Sequence, residues 1–190
     1  MKRLFLQSLR LTVVFTILVG VIYPLVITGV AQLAFRDKAN GSLIPQLRDG
    51  KVVGSELLAQ QFTGDKYFWP RPSAGDYATV PSGASNLGPT SAALRSNVAA
   101  RAAAIRAANK LPADATVPAD LLFTSGSGLD PHISPEAARL QVARVATARG
   151  VSDESIKVLV EKFVEPTQLG FLGEPRVNVL LLNLALDRLH

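Results

Sequence analysis

Residues 11–35 read LTVVFTILVGVIYPLVITGVAQLAF, 25 consecutive positions between Arg10 and Arg36 without a charge. No other stretch of the chain resembles it. At about 1.5 Å per residue such a helix extends roughly 37 Å, enough to cross a hydrocarbon core of roughly 30 Å with some tilt. Leu11 and Phe35 bound the expected transmembrane helix, and Tyr23-Pro24 lies near its middle. Gly20, Pro24 and Gly29 would weaken a helix in water, but lipid offers no competing hydrogen bonds, so a span tolerates them. A kink near Pro24 is expected.

A cleaved signal peptide is the rival interpretation, because Lys2 and Arg3 form a basic start and Gly29-Val30-Ala31 offers small residues at a plausible cut. The apolar run exceeds the roughly 7–15 residues of a signal core and continues through Leu33, Ala34 and Phe35, which favours a retained anchor. The chain has no cysteine, so a lipid-anchored lipoprotein is excluded. Lys2, Arg3 and Arg10 precede the span, whereas Arg36 and Lys38 follow it with Asp37 between them. Basic flanks stay inside. The expected organisation is therefore a cytoplasmic N-terminus (1–10), a transmembrane helix (11–35) and one exported α+β domain (36–190), periplasmic in a bacterium.

The pI near 9.8 invites a nucleic-acid interpretation. Three of the 20 basic residues precede the span, leaving 17 against 15 acidic ones, a net of about +2 for the outer domain. Its arginines are scattered among alanines and acids rather than gathered into a stripe, so no nucleic-acid partner is expected. With only His132 and His190 as imidazoles and no thiol, a zinc site is not expected either.

Beyond the span, Ser42-Leu43-Ile44 and Lys51-Val52-Val53 flank the turn signal Arg48-Asp49-Gly50 and suggest a β-hairpin. Residues 64–90 cannot form a regular element, with glycine at 64, 75, 83 and 88 and proline at 70, 72, 81 and 89. Long irregular segments in compact domains are functional or disordered, and the aromatics Tyr67-Phe68-Trp69 argue against disorder. Either Tyr67, Phe68, Trp69 and Arg71 lie against a partner, or they pack the loop onto its own domain. Leu94, Val98, Ala102 and Ile105 share a helical face in an alanine-rich run closed by Asn109 and Pro112. Ser134-Pro135-Glu136 predicts a helix running to Gly150, and Ser152-Asp153-Glu154 another ending near Val164. Residues 177–189 are almost continuously apolar but too short to span, which suits a core helix or a strand followed by a helix. Strands near residue 50 with three or four helices make an α+β domain.

Chemistry is harder to find. Ser125-Gly126-Ser127-Gly128-Leu129-Asp130-Pro131-His132 begins like a dinucleotide loop, but Pro131 stands where the third glycine is needed. Asp130, His132 and Ser134 offer triad-type side chains within five residues, whereas triads converge from distant segments. Gly50-Lys51 is followed by Val52 and preceded by no glycine-rich loop, so no phosphate cradle is written. Asp65 is followed by Lys66-Tyr67-Phe68, not by the Thr-Gly-Thr that completes the aspartyl-phosphate motif of P-type pumps.

Asn40-Gly41-Ser42-Leu43, Tyr67-Phe68 with Arg71-Pro72-Ser73-Ala74, Ser85-Asn86-Leu87-Gly88-Pro89-Thr90, residues 125–138 and Asn183-Leu184-Ala185-Leu186-Asp187 stand in an order that resembles the C subunit of the bacterial Kdp-type potassium-transporting ATPase. The resemblance covers essentially the whole chain, including Tyr23-Pro24. It departs at Ala59-Gln60-Gln61, where the family pattern has glycine before the first glutamine. The resemblance implies a non-catalytic subunit of an inner-membrane complex that drives high-affinity potassium uptake with ATP. Its partners would be a channel-like potassium-binding subunit, a P-type ATPase subunit and a small single-span subunit, besides the lipid bilayer. The family is described as an assembly factor and a catalytic chaperone for ATP use by the pump. A periplasmic domain cannot touch cytosolic ATP, so no directly bound cofactor is expected, and ATP and potassium belong to the complex. Asn40, Ser42, Tyr67, Phe68, Trp69, Arg71, Asn86, Asp130 and His132 are the candidate partner-facing residues.

Overall fold

The computed structural model describes residues 1–45 and 50–189 and divides into two compact units, 1–53 and 54 onward.

In the first unit, helix α1 (Lys2–Ile17), a π-helical turn (Leu18–Ile22) and helix α2 (Tyr23–Ala34) run on without interruption. This 33-residue helix has a mean hydropathy of 2.4 in its most apolar window and no residue buried there, and it is the one helix among the described residues long and apolar enough to cross a membrane. It begins nine residues before the apolar run, so the basic segment expected as a separate N-terminus is also helical. The π turn has a local cause. Pro24 has no N–H to give, and its ring crowds the carbonyl of Gly20, four residues back. The helix widens there, and the Tyr23 N–H reaches Leu18 O. Phe35, expected inside the span, instead leaves the helix at φ −137°. A short helix α3 (Arg36–Ala39) follows, and strand β1 (Leu43–Pro45) pairs with β2 (Val52–Ser55). The Arg48-Asp49 part of the expected turn lies outside the described residues.

The second unit is α+β. Residues 64–90 contain neither helix nor strand. Helix α4 (Ala92–Ala108) is capped by Ser91, whose hydroxyl accepts from the Leu94 N–H, and it buries Ala102 and Ile105 on the face the sequence marks. After strand β3 (His132–Ile133), the helix expected to run unbroken to Gly150 is split into α5 (Pro135–Leu140) and α6 (Val142–Arg149). The break falls at Gln141, a fully buried amide whose side chain bonds the Trp69 backbone as well as the Ala137 carbonyl of α5. Gly150 ends α6 at φ +69°, where a glycine is favoured, and Ser152 caps α7 (Asp153–Lys162). Strands β4 (Val164–Glu165) and β5 (Arg176–Asn178) complete a sheet that the sequence did not announce. β5 lies between β3 and β4, antiparallel to both, with Ile133 and Val164 each opposite Val177. The apolar tail resolves into β5 and helix α8 (Val179–Leu186), capped by Asn178.

The core gathers Phe68 with Leu121, Ile133, Val145, Ile156, Val160, Val177, Leu182 and Leu186. Phe68 comes from the irregular segment and has no exposed surface. Burying such a side chain contributes about 2–3 kcal/mol, which fastens a segment without secondary structure of its own.

Candidate functional site

Of the partner-facing candidates, Tyr67, Phe68 and Trp69 are held by long-range bonds to the helices. Asn183, within α8, accepts from the Phe68 N–H at 2.8 Å and donates to the Phe68 carbonyl at 3.0 Å. Gln141, at the α5–α6 break, accepts from the Trp69 N–H at 2.8 Å and donates to the Trp69 carbonyl at 3.2 Å. Two amides therefore stand in for a neighbouring β-strand along two successive residues. Buried backbone groups must find partners, and this loop has no strand beside it to supply them. Phe68 is thereby removed from the surface and offers a partner nothing to touch. The alternative in which the aromatics pack onto their own domain holds for it.

Arg144, buried on α6, ties the same loop from below. It donates to the carbonyls of Asp65 (2.7 Å) and Tyr67 (3.0 Å), to Gln141 Oε1 (2.7 Å) and to Asn109 Oδ1 (3.2 Å), and its guanidinium lies 4.0 Å from the centre of the Trp69 ring. Burial pulls its pKa down to about 10, against the opposing charge of Asp65, so it remains a cation at neutral pH. Arg149 plays a parallel part nearer the surface, donating to the carbonyls of Lys66 (2.7 Å) and Leu186 (3.0 Å) and to Asp187 (2.7 Å). Tyr67 remains partly exposed and donates its hydroxyl to Asp187. Burial, then that carboxylate, raises its pKa.

Arg71 and Asp130 meet at 2.8 Å. Burial alone would push the Asp130 carboxyl up, but bonds from the side chain and backbone of His132 and from Arg71 outweigh it and hold the pKa at about 2. The Arg71 carbonyl accepts from the Tyr77 hydroxyl, whose burial raises its pKa to about 12. Ser134 is not part of this cluster. Its hydroxyl meets Asp120 Oδ1 at 3.2 Å and caps α5 through the Ala137 N–H. The three triad-type residues are thus divided between two separate jobs. Asn86 is exposed and sits at φ +54°. Asn40 and Ser42 belong to the first unit, where Asn40 accepts from Gln32 and the Ser42 N–H bonds the Asp37 carbonyl.

Beside the clasped loop, Phe62, Trp69, Pro70, Pro72, Tyr77 and Leu121 line a shallow groove of about 330 Å³. Among the described residues no group of three or more His, Asp or Glu side chains could hold a metal ion. Gln141, Arg144 and Arg149 belong to no motif read in the sequence, and Asn183 and Asp187 are read there only as part of the family resemblance. Gln141 and Arg144 stand among Glu136, Arg139, Thr147 and Arg149 and carry no distinguishing local signal, whereas Asn183 interrupts a leucine run.

Fold and site together define a membrane-anchorable α+β protein in which Gln141, Arg144, Arg149 and Asn183 hold one irregular loop. The family described as "KdpC: K+-transporting ATPase, c chain" matches residues 5–188, and the chain belongs to that family. It is 53% identical to the potassium-transporting ATPase KdpC subunit of Mycobacterium tuberculosis over 191 residues, covering all of both chains. The KdpC subunit of Rhodospirillum rubrum is 56% identical over 190 residues, covering 98% of this chain and 96% of that one. That of Geobacter sulfurreducens is 52% identical, covering 96% of each.

Proposed function

We propose that the chain is a non-catalytic accessory subunit of a high-affinity, ATP-driven potassium uptake complex of the bacterial inner membrane. Its helix anchors it with the N-terminus cytoplasmic, and its globular unit works in the periplasm through protein contacts. There it stabilises the assembly of a channel-like potassium-binding subunit, a P-type ATPase subunit and a small single-span subunit. Any influence on ATP use by the pump subunit is a coupling free energy passed through the assembly, with no nucleotide held by this chain.

The observation that carries this proposal is the destination of the polar side chains. Asp130 is engaged by Arg71, Ser134 by Asp120, and Gln141, Asn183 and Arg144 by loop backbone. Such a set supports a rigid contact surface better than a reacting one.

The test uses the absence of native cysteine. A single Val158→Cys variant, exposed on α7, is treated in intact cells with a membrane-impermeant maleimide, and the solubilised complex is then purified through a tag on this chain. Labelling in intact cells together with recovery of the three partner subunits is expected. Labelling only after lysis would overturn the sidedness, and recovery of this chain alone would overturn the subunit role.

A further inference from the structure

The long helix of the first unit starts at Lys2 and reaches Ala34 without interruption. Its apolar part, residues 11–34, is about 36 Å long against the roughly 30 Å of a hydrocarbon core, so it must lean by about 30° to stay within lipid. Residues 2–10 then cross the headgroup layer obliquely as further turns of the same helix. A leaning helix turns one face to the water and one to the acyl chains, and this segment divides in the same way. At about 100° per residue, Lys2, Arg3 and Arg10 fall within roughly 100° of one another, with Leu6 the one apolar residue inside that arc, and Leu4 and Phe5 lie towards the other side. None of the three cations has a carboxylate partner among the described residues, and the first acid of the chain is Asp37, beyond the far end of the helix.

We infer that the face carrying Lys2, Arg3 and Arg10 is a binding site for anionic phospholipid headgroups and sets the direction in which the helix leans, an inference that rests on the membrane anchor proposed above. In the orientation given there, these are lipids of the cytoplasmic leaflet. Depth selects the occupant, because headgroup phosphates lie at the level of the three cations, whereas a soluble anion or a nucleic acid meets only what emerges beyond that layer. The chemistry of the side chains agrees. An arginine fork takes a phosphate through two parallel bonds, and the long stems of arginine and lysine carry the charge to the headgroups from a helix set at the edge of the core. Leu4 and Phe5 enter the acyl boundary from the other side, as the apolar residues of interfacial helices do. The far end of the helix does not repeat the arrangement. There Phe35 leaves the helix, and Asp37 stands between Arg36 and Lys38.

The test uses the full-length chain in symmetric vesicles of equal parts phosphatidylglycerol and phosphatidylcholine, where both leaflets offer the same lipids and the orientation taken does not matter. The chain is extracted in mild detergent, and the phospholipid that stays with it is measured by mass spectrometry. Enrichment of phosphatidylglycerol by about fivefold or more is expected, since each cation near the surface is worth about that factor. The Lys2→Gln, Arg3→Gln, Arg10→Gln variant should return to the ratio of the vesicles. So should the Lys2→Phe, Arg3→Leu, Leu4→Arg, Phe5→Lys variant, which keeps the composition but spreads the three cations around the helix. Arg36→Gln with Lys38→Gln should keep most of the enrichment. No enrichment in the unmodified chain, enrichment that survives either of the first two variants, or an equal fall in the third would overturn the site, and flotation with pure phosphatidylcholine vesicles would leave the anchor standing. Failure of the unmodified chain to float with any vesicle would remove the anchor itself, and the site with it.

Discussion

Asn183 and Phe68 are 115 positions apart in the sequence and exchange two hydrogen bonds, the amide oxygen taking the Phe68 N–H and the amide nitrogen serving the Phe68 carbonyl. Asn183 is 2% exposed and Phe68 not at all, so water cannot replace either bond. Asn183→Ala should therefore cost about 2–4 kcal/mol, the penalty of leaving a buried donor and a buried acceptor unpaired. Trp69 is the single tryptophan and lies next to Phe68, so urea unfolding followed by its fluorescence reads the loss directly. A cost below about 1 kcal/mol would show that the clasp is dispensable.

Arg144→Lys keeps the charge but not the planar fork that meets four acceptors and stacks on Trp69. A loss of about 2–3 kcal/mol is expected, together with a red shift of Trp69 emission in the folded protein as water reaches the indole. An unchanged emission maximum would mean that the stacked cation does not govern the indole's surroundings.

Asp130 makes stability depend on acid. Its folded pKa of about 2 lies below the ordinary carboxyl value of 3.8, so its contribution is present above about pH 4 and is lost as pH falls towards 2. Allowing for solvent screening of a half-exposed pair, Asp130→Asn should destabilise by about 1–2 kcal/mol at pH 7. Its unfolding midpoint should converge on that of the unmodified protein between about pH 4 and pH 2. Urea titrations at a series of pH values test this, and a difference independent of pH would refute the ionic origin.

Gly126 and Gly128, two residues apart, should respond differently to alanine. Gly128 has φ +71°, and an added Cβ would lie 2.8 Å from the Gly83 carbonyl, whereas at Gly126 nothing lies within 4 Å. Gly128→Ala should cost about 2 kcal/mol or more and Gly126→Ala well under 1, measured by the same urea titration. Equal effects would mean that the loop yields at Gly128.

Much of this could be read from the sequence because it depended on local chemistry. Ser134 and Ser152 each satisfy an open helix end, so those two starts followed from neighbours alone. The uncharged run from Leu11 announced the long helix for the same reason. What escaped was set at a distance. Strands β3 and β4 are two residues long, too short to carry an alternating pattern, and they exist because β5 lies between them. Gln141 reads as an ordinary helical residue, and only the Trp69 backbone, 72 positions away, explains why the helix breaks there. The aromatic cluster was recognisable as special, but which of its members faced inward depended on Asn183 and Arg144.

The clasp at Asn183 also sets a schedule. Residues 64–90 emerge from the ribosome well before residue 183, and the amide that fixes Phe68 arrives with α8, the last helix of the described residues. Until then the loop has no strand to lie along and a phenylalanine with nowhere to go. A newly made chain therefore waits, open to proteases, for α8. A nonsense mutation just upstream of codon 183 would yield a chain with its anchor and most of its helices in hand, unable to close.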